Sequence, residues 1–213
     1  MPNLCWSCHN DPGGGHFCGH CQKIQPFLLG SDYFVFMETP RKTGFDPELL
    51  EKKFYDLSRK FHPDFFQGKS DKERMISLEK SSFLNKAYDT LKDPMTRVEY
   101  LLSLEVPSTA KERTKVDPAL VFEIFKIQEM VEEEKQTKDP ALKSELEDAK
   151  KEVEGKIEER RKSLDAYFKQ WDLLENALAQ KQELAKTIRK TIDEMSYLKN
   201  VIQSIETGGQ IRH

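Results

Sequence analysis

The sequence predicts an all-α protein with a small cysteine-bearing module at its N-terminus, and three observations predict it. All four cysteines fall within the first 21 of 213 residues, as Cys5-x-x-Cys8 and Cys18-x-x-Cys21. Four Asp-Pro pairs (Asp46-Pro47, Asp93-Pro94, Asp117-Pro118 and Asp139-Pro140) each stand at the head of a helical apolar pattern. No stretch after residue 30 alternates convincingly enough for a strand. The expected architecture is a tetracysteine module over 1–26, a helical domain over 31–104 built on an antiparallel hairpin, and a C-terminal three-helix bundle over 117–206.

Two C-x-x-C knuckles separated by nine residues can each wrap one edge of a tetrahedral ion, and four thiolates close a structural zinc site. Cys5, Cys8, Cys18 and Cys21 are the expected ligands of one zinc ion, and His9, His16 and His20 are loop residues. Gly13, Gly14 and Gly15 let the connecting loop fold back. Gly19 is read as the point where backbone approaches sulfur. Such crowding at one end suits a metal knuckle better than a disulfide framework. A closed site with four thiolates has no open position for substrate, which assigns it structure or docking. The alternative is a thiol oxidoreductase working through its C-x-x-C pairs, but a thioredoxin-like site needs a βαβ context that is missing.

The helices follow from caps and periodicity. Asp accepts orphan N–H groups as an N-cap, and Pro fits the first helical position. The expected helices are 47–61, 71–92, 94–104, 118–136 and a region from 140 to 206 that is too long for one globular helix. A turn is placed near Lys169–Leu174, with Asp172 as a new N-cap. DYFVFM at 32–37 is either a short strand or a helical turn. Asp11-Pro12 has no periodic run behind it and reads as a turn. EVPSTAKERTKVDP at 105–118 is polar, carries two prolines and reads as a linker.

The first helix of the hairpin carries Leu50, Phe54, Leu57 and Phe61 on one face and ends at His62-Pro63-Asp64. Pro63 lacks a backbone N–H and pushes His62 out of the α region. Lys52, Lys53, Arg59 and Lys60 line the exposed face, a solvated surface by default. The second helix shows Leu78, Leu84, Tyr88 and Leu91, and an antiparallel pair puts the triplet at the exposed tip. His62 has no nucleophile or carboxylate partner within the motif to form a triad, and no P-loop is present, so the chain does not read as an enzyme.

YDLSRKFHPDFF followed by SSFLNKAYDTLKDPMTRVEYLLSLE resembles the J domain of the HscB-type iron–sulfur cluster co-chaperones. The tetracysteine start is similar to that of the zinc-bearing eukaryotic members. The resemblance implies that His62, Pro63 and Asp64 engage a heat-shock-70-type chaperone and stimulate its ATP hydrolysis. Lys52, Lys53, Arg59 and Lys60 would then meet an acidic surface on that chaperone, giving orientation and on-rate more than affinity.

The helix over 119–134 has two apolar faces. At 100° per residue, Leu120, Ile124, Ile127 and Val131 form a core stripe. Phe122, Phe125, Glu129 and Glu133 form a second one nearly opposite, with Val121 at its edge. In the last helix Leu184, Ile188, Met195, Leu198 and Ile202 line one side, while Tyr197 points away. Either a three-helix arrangement buries these aromatics or they mark an apolar patch rimmed by carboxylates. The resemblance implies that Val121, Phe122, Phe125, Glu129, Glu133 and Tyr197 bind the scaffold protein on which iron–sulfur clusters are assembled. Lys126 departs from the pattern, standing where bacterial relatives carry Glu. Leu146, Val153, Ile157, Leu164, Phe168 and Trp171 read as core.

The net charge of −3 argues against binding nucleic acid through bulk charge, and no apolar run approaches the ~20 residues of a membrane span. MPNLCWSC is neither a signal peptide nor an Arg-rich transit peptide. That start suits a soluble intracellular protein or a mature form without its leader, and the resemblance implies mitochondria. A second reading is a general J-domain co-chaperone for other clients.

Overall fold

A computed structural model of the chain describes residues 4–27, 30–107, 117–174 and 177–209. Among them the regular elements are helical, and the only strand-like feature is a single bridge between Phe17 and Ile24. The chain forms two compact units, Met1–Tyr100 and Leu101–His213. Most of the expected linker, residues 108–116, lies outside the described residues.

In the first unit, α1 (Tyr33–Phe36) is a single turn capped by Asp32, whose carboxylate accepts from the Val35 N–H at 2.9 Å. DYFVFM is therefore a helical turn. Helix α2 (Pro47–Phe61) starts on Asp46, with Pro47 at its first position. It stops where expected: His62, ahead of Pro63, takes φ −57° and ψ 126°. A 3-10 turn, Pro63–Phe66, follows, and then α3 (Asp71–Lys92). The start of α3 carries a capping box in which Ser70 and Glu73 each bond the other's backbone N–H.

Helices α2 and α3 pack as an antiparallel hairpin. Phe54 stacks on Tyr88 with centroids 4.3 Å apart, while the end of α2 meets Ser77 and Ser81 near the start of α3. Where these helices pack, Leu50, Leu57 and Phe61 of α2, Ile76, Leu84, Ala87 and Leu91 of α3, and Phe34 and Phe36 of α1 are all buried. Leu78 departs from expectation: it lies outside the buried stripe and is 58% exposed. Its spacing to Leu84 is six residues, about 240° around the helix. Helix α4 (Pro94–Glu105) begins on Asp93, whose carboxylate accepts from Met95 and Thr96 N–H, both at 2.9 Å. The division between the two units falls within it.

The second unit holds α5 (Pro118–Thr137), α6 (Pro140–Leu173) and α7 (Leu178–Thr207), each packed on the other two. Asp117 and Asp139 cap α5 and α6, again with Pro at the first position. Lys150 bonds Glu206 at 2.7 Å and Arg160 bonds Glu194 at 2.8 Å, so advancing along α6 means retreating along α7. Leu120, Ile124, Ile127, Val131, Leu146, Val153, Leu198 and Val201 form one core cluster. Leu164, Phe168 and Trp171 are buried as expected, and Ile157 is half-buried against that cluster.

The turn after α6 corrects the expectation. Asp172 lies in the last turn of α6 instead of capping α7, which begins beyond Ala177 without a side-chain cap. No helix among the described residues is long and apolar enough to cross a membrane.

Candidate functional site

Three clusters carry the chemistry. In the first, both C-x-x-C knuckles use one backbone pattern. Cys5 N–H donates to Asn10 C=O and His9 N–H to Cys5 C=O; likewise Cys18 N–H donates to Lys23 C=O and Gln22 N–H to Cys18 C=O. His9 and Gln22 occupy matching left-handed positions, φ 57° and 59°. Each knuckle thus closes a tight loop around its pair of sulfurs. Gly13 and Gly14, at φ 79° and 74°, turn the connecting loop back as expected.

The four Sγ atoms lie within 4.8 Å of one another, with Cys5–Cys21 at 3.6 Å and Cys8–Cys18 at 3.7 Å. A tetrahedron with Zn–S bonds of about 2.3 Å has sulfurs about 3.8 Å apart, so the cluster fits a metal ion of that size. The Gly19 reading is corrected: its N–H donates to Pro12 C=O, and an added Cβ would meet that oxygen at an ordinary 3.8 Å.

Burial works against ionising the Cys5 thiol, but backbone N–H groups at Cys8 and Ser7 and neighbouring thiols outweigh it and bring it down to about 6. The Cys21 thiol receives help from the Lys23 backbone N–H. Burial and the three other sulfurs nevertheless push it up to about 12, since further negative charge in one cluster is resisted. Only the thiolate ligates a metal, so a bound cation would favour the deprotonated form of all four sulfurs.

The second cluster is the tip of the hairpin. The Asp64 N–H donates to Nδ1 of His62 at 3.3 Å, which leaves Nε2–H as the ring group available to a partner. Asp64 Oδ2 lies 3.5 Å from the same Nδ1, so His62 does have a carboxylate beside it, contrary to the sequence reading. Both side chains are exposed, and this pairing is a turn contact. The 3-10 turn buries Phe66 and leaves Phe65 67% exposed beside the triplet, an aromatic that the sequence reading passed over. Its signal was the doublet Phe65-Phe66, of which one ring alone can face the core.

The basic residues before the triplet differ among themselves. Lys52, Arg59 and Lys60 are exposed, with Arg59 held to Asp56 at 2.9 Å. Lys53 is half-buried and donates to Glu38 C=O.

The third cluster is the outer face of α5. Phe122 is 64% exposed and Phe125 59%, with Val121, Glu129 and Glu133 also exposed. The bundle therefore does not bury the second stripe. Lys126 Nζ sits 4.8 Å from the centroid of Phe122, a cation on an aromatic face. Tyr197 differs from expectation: it is half-buried and packs on the bundle core.

Comparison with known proteins accords with this arrangement. No family model matches the chain. It is 31% identical over 209 residues to the iron–sulfur cluster co-chaperone protein HscB of Mus musculus, covering 95% of this chain and 81% of that one. With the Homo sapiens protein of the same name it is 32% identical over 215 residues, covering 95% and 80%. It matches the Arabidopsis thaliana HscB homolog at 35% over 129 residues, which is 61% of this chain and about half (51%) of the plant protein. Among solved structures, human HscB superposes with a TM-score of 0.67 at 27% identity, covering 95% of this chain and 96% of the other.

Proposed function

The chain belongs to the HscB family of iron–sulfur cluster co-chaperones, and from that premise we propose that it is a two-headed adaptor. One surface, His62, Pro63 and Asp64 with Lys52, Lys53, Arg59 and Lys60, engages a heat-shock-70-type chaperone and stimulates its ATPase. The other, Val121, Phe122, Phe125, Glu129, Glu133 and Tyr197, holds the iron–sulfur scaffold protein and delivers it to the chaperone. The adaptor itself is not an enzyme, since ATP is bound and hydrolysed by the partner. A structural zinc ion on Cys5, Cys8, Cys18 and Cys21 and a place in the mitochondrial matrix complete the reading.

One observation carries it. The polar triplet on a hairpin tip lies in one compact unit, and the exposed aromatic stripe on a bundle helix lies in the other. Separate surfaces of opposite character suit two different partners. Complementary charge at the first favours fast, oriented encounter. Two Phe rings at the second supply apolar area worth roughly 1.5–3 kcal/mol each if fully buried. Acting on the chaperone requires only that the triplet bind one of its conformations better than another.

The test is a double dissociation. His62→Gln abolishes stimulation of the chaperone ATPase and leaves scaffold binding intact. Phe122→Ala with Phe125→Ala does the reverse. Loss of scaffold binding in the triplet variant would defeat the division of labour.

A further inference from the structure

The tetracysteine module and the His-Pro-Asp turn are distant in sequence, yet one side chain joins them. Phe61 is the last residue of α2, fully buried, and bonded directly to His62. His16 meets its ring edge-on, centroids 4.9 Å apart, and Phe17 stacks on it at 6.1 Å. Both come from the strand of chain that leads into Cys18. The Phe61 carbonyl loses its helical donor because α2 ends here and the Phe65 N–H turns to His62 C=O; it accepts instead from the Ser77 and Ser81 hydroxyls at 2.7 and 2.9 Å.

His16 is itself fixed. Its Nε2 lies 3.1 Å from Phe36 C=O and its Nδ1 2.9 Å from Lys80 Nζ. One tautomer satisfies both, with Nε2–H donating and Nδ1 accepting. The ring of Phe61 is thus gripped by the module, while its peptide group is gripped by α3.

We propose that the tetracysteine module is a positioning element for the triplet: loaded with metal, it holds His16 and Phe17 against Phe61 and so sets the direction in which His62 leaves α2. The consequence for the chaperone rests on the function proposed above; the coupling itself does not. A turn already held in its bound geometry loses less freedom on docking. Loosening it therefore raises the concentration needed for half-maximal ATPase stimulation and leaves the maximum unchanged.

The experiment uses the whole chain and reads amide hydrogen exchange and the His62 ring resonances by NMR. Four samples suffice: zinc-loaded wild type, chelated wild type, and zinc-loaded His16→Ala and His16→Gln. Chelation and His16→Ala should each speed exchange at Asp64 and Phe65 by about tenfold and shift the His62 ring signals. Leu84 and Leu91 in α3 should stay protected, and His16→Gln, which keeps a donor and an acceptor, should recover part of the protection. An unchanged triplet while the Cys18 and Gln22 amides open would overturn the proposal. So would an equal rise at Leu84 and Leu91, or unfolding of α2 and α3 in His16→Ala, since either makes the module a general support of the fold. A chaperone ATPase that ignores the wild-type protein would sink the adaptor reading, and the exchange data would still decide the coupling.

Discussion

Lys80, only 2% exposed, places its Nζ 2.9 Å from Nδ1 of His16, so its ammonium group meets a neutral ring. Three further rings, Phe27, Phe36 and Phe61, stand 5.2 to 5.6 Å from the same nitrogen. Burial lowers the His16 ring to about 4, with Lys80 pushing in the same direction, so it stays uncharged as an acceptor. Burial also pulls the Lys80 ammonium down to about 8.

That depression predicts a pH dependence. Unfolded, Lys80 titrates near 10.5; folded, near 8. Between those values the unfolded chain holds more proton, so this residue makes stability rise with pH, and its cost is fully present below pH 8. Lys80→Met removes the term. The stability of the variant relative to wild type should fall by on the order of 3 kcal/mol between pH 7.5 and 10.5, as measured by denaturant titration. A flat difference would mean that the ammonium is not desolvated.

Metal loading should be all-or-none with respect to the four thiols. Elemental analysis should find a single equivalent of zinc in the wild type, and Cys8→Ser or Cys18→Ser should lose it. Redox-inert zinc at one equivalent also removes the thiol-oxidoreductase reading. Catalysis of disulfide exchange by the loaded protein would restore it.

Phe125→Ala should leave the bundle's stability within about 0.5 kcal/mol, because a residue 59% exposed contributes little to the core. Its effect should fall on scaffold affinity, weakened roughly tenfold or more by the loss of 1.5–3 kcal/mol of burial. Leu164→Ala, one helix away and fully buried, should behave oppositely, costing about 2–5 kcal/mol of stability.

Lys138 ends α5 in the left-handed region at φ 53°, its N–H donating to Glu134 C=O. A side chain there is strained, and Lys138→Gly should stabilise the bundle by about 1 kcal/mol. A destabilised variant would place the strain elsewhere.

The sequence by itself determined where α2, α3, α4, α5 and α6 begin, because those starts are local matters. An Asp side chain reaches N–H groups two or three residues on, which is why Asp46, Asp93, Asp117 and Asp139 announced their helices. The two C-x-x-C pairs announced a metal-sized cluster for the same reason. The core stripe of α5 followed from the 3.6-residue period. The end of α6 was not legible, since Asp172 has the chemistry of a cap and only the burial of Trp171 beside it favours continuing the helix. The exposure of Leu78 and the partial burial of Tyr197 were not legible because burial depends on what lies opposite, which no local period contains. Only the tertiary structure decided that nothing in the bundle covers Phe122 and Phe125. It alone brought His16 to Lys80 and Phe61, contacts that span 64 and 45 residues of chain and that close only when the helices have packed.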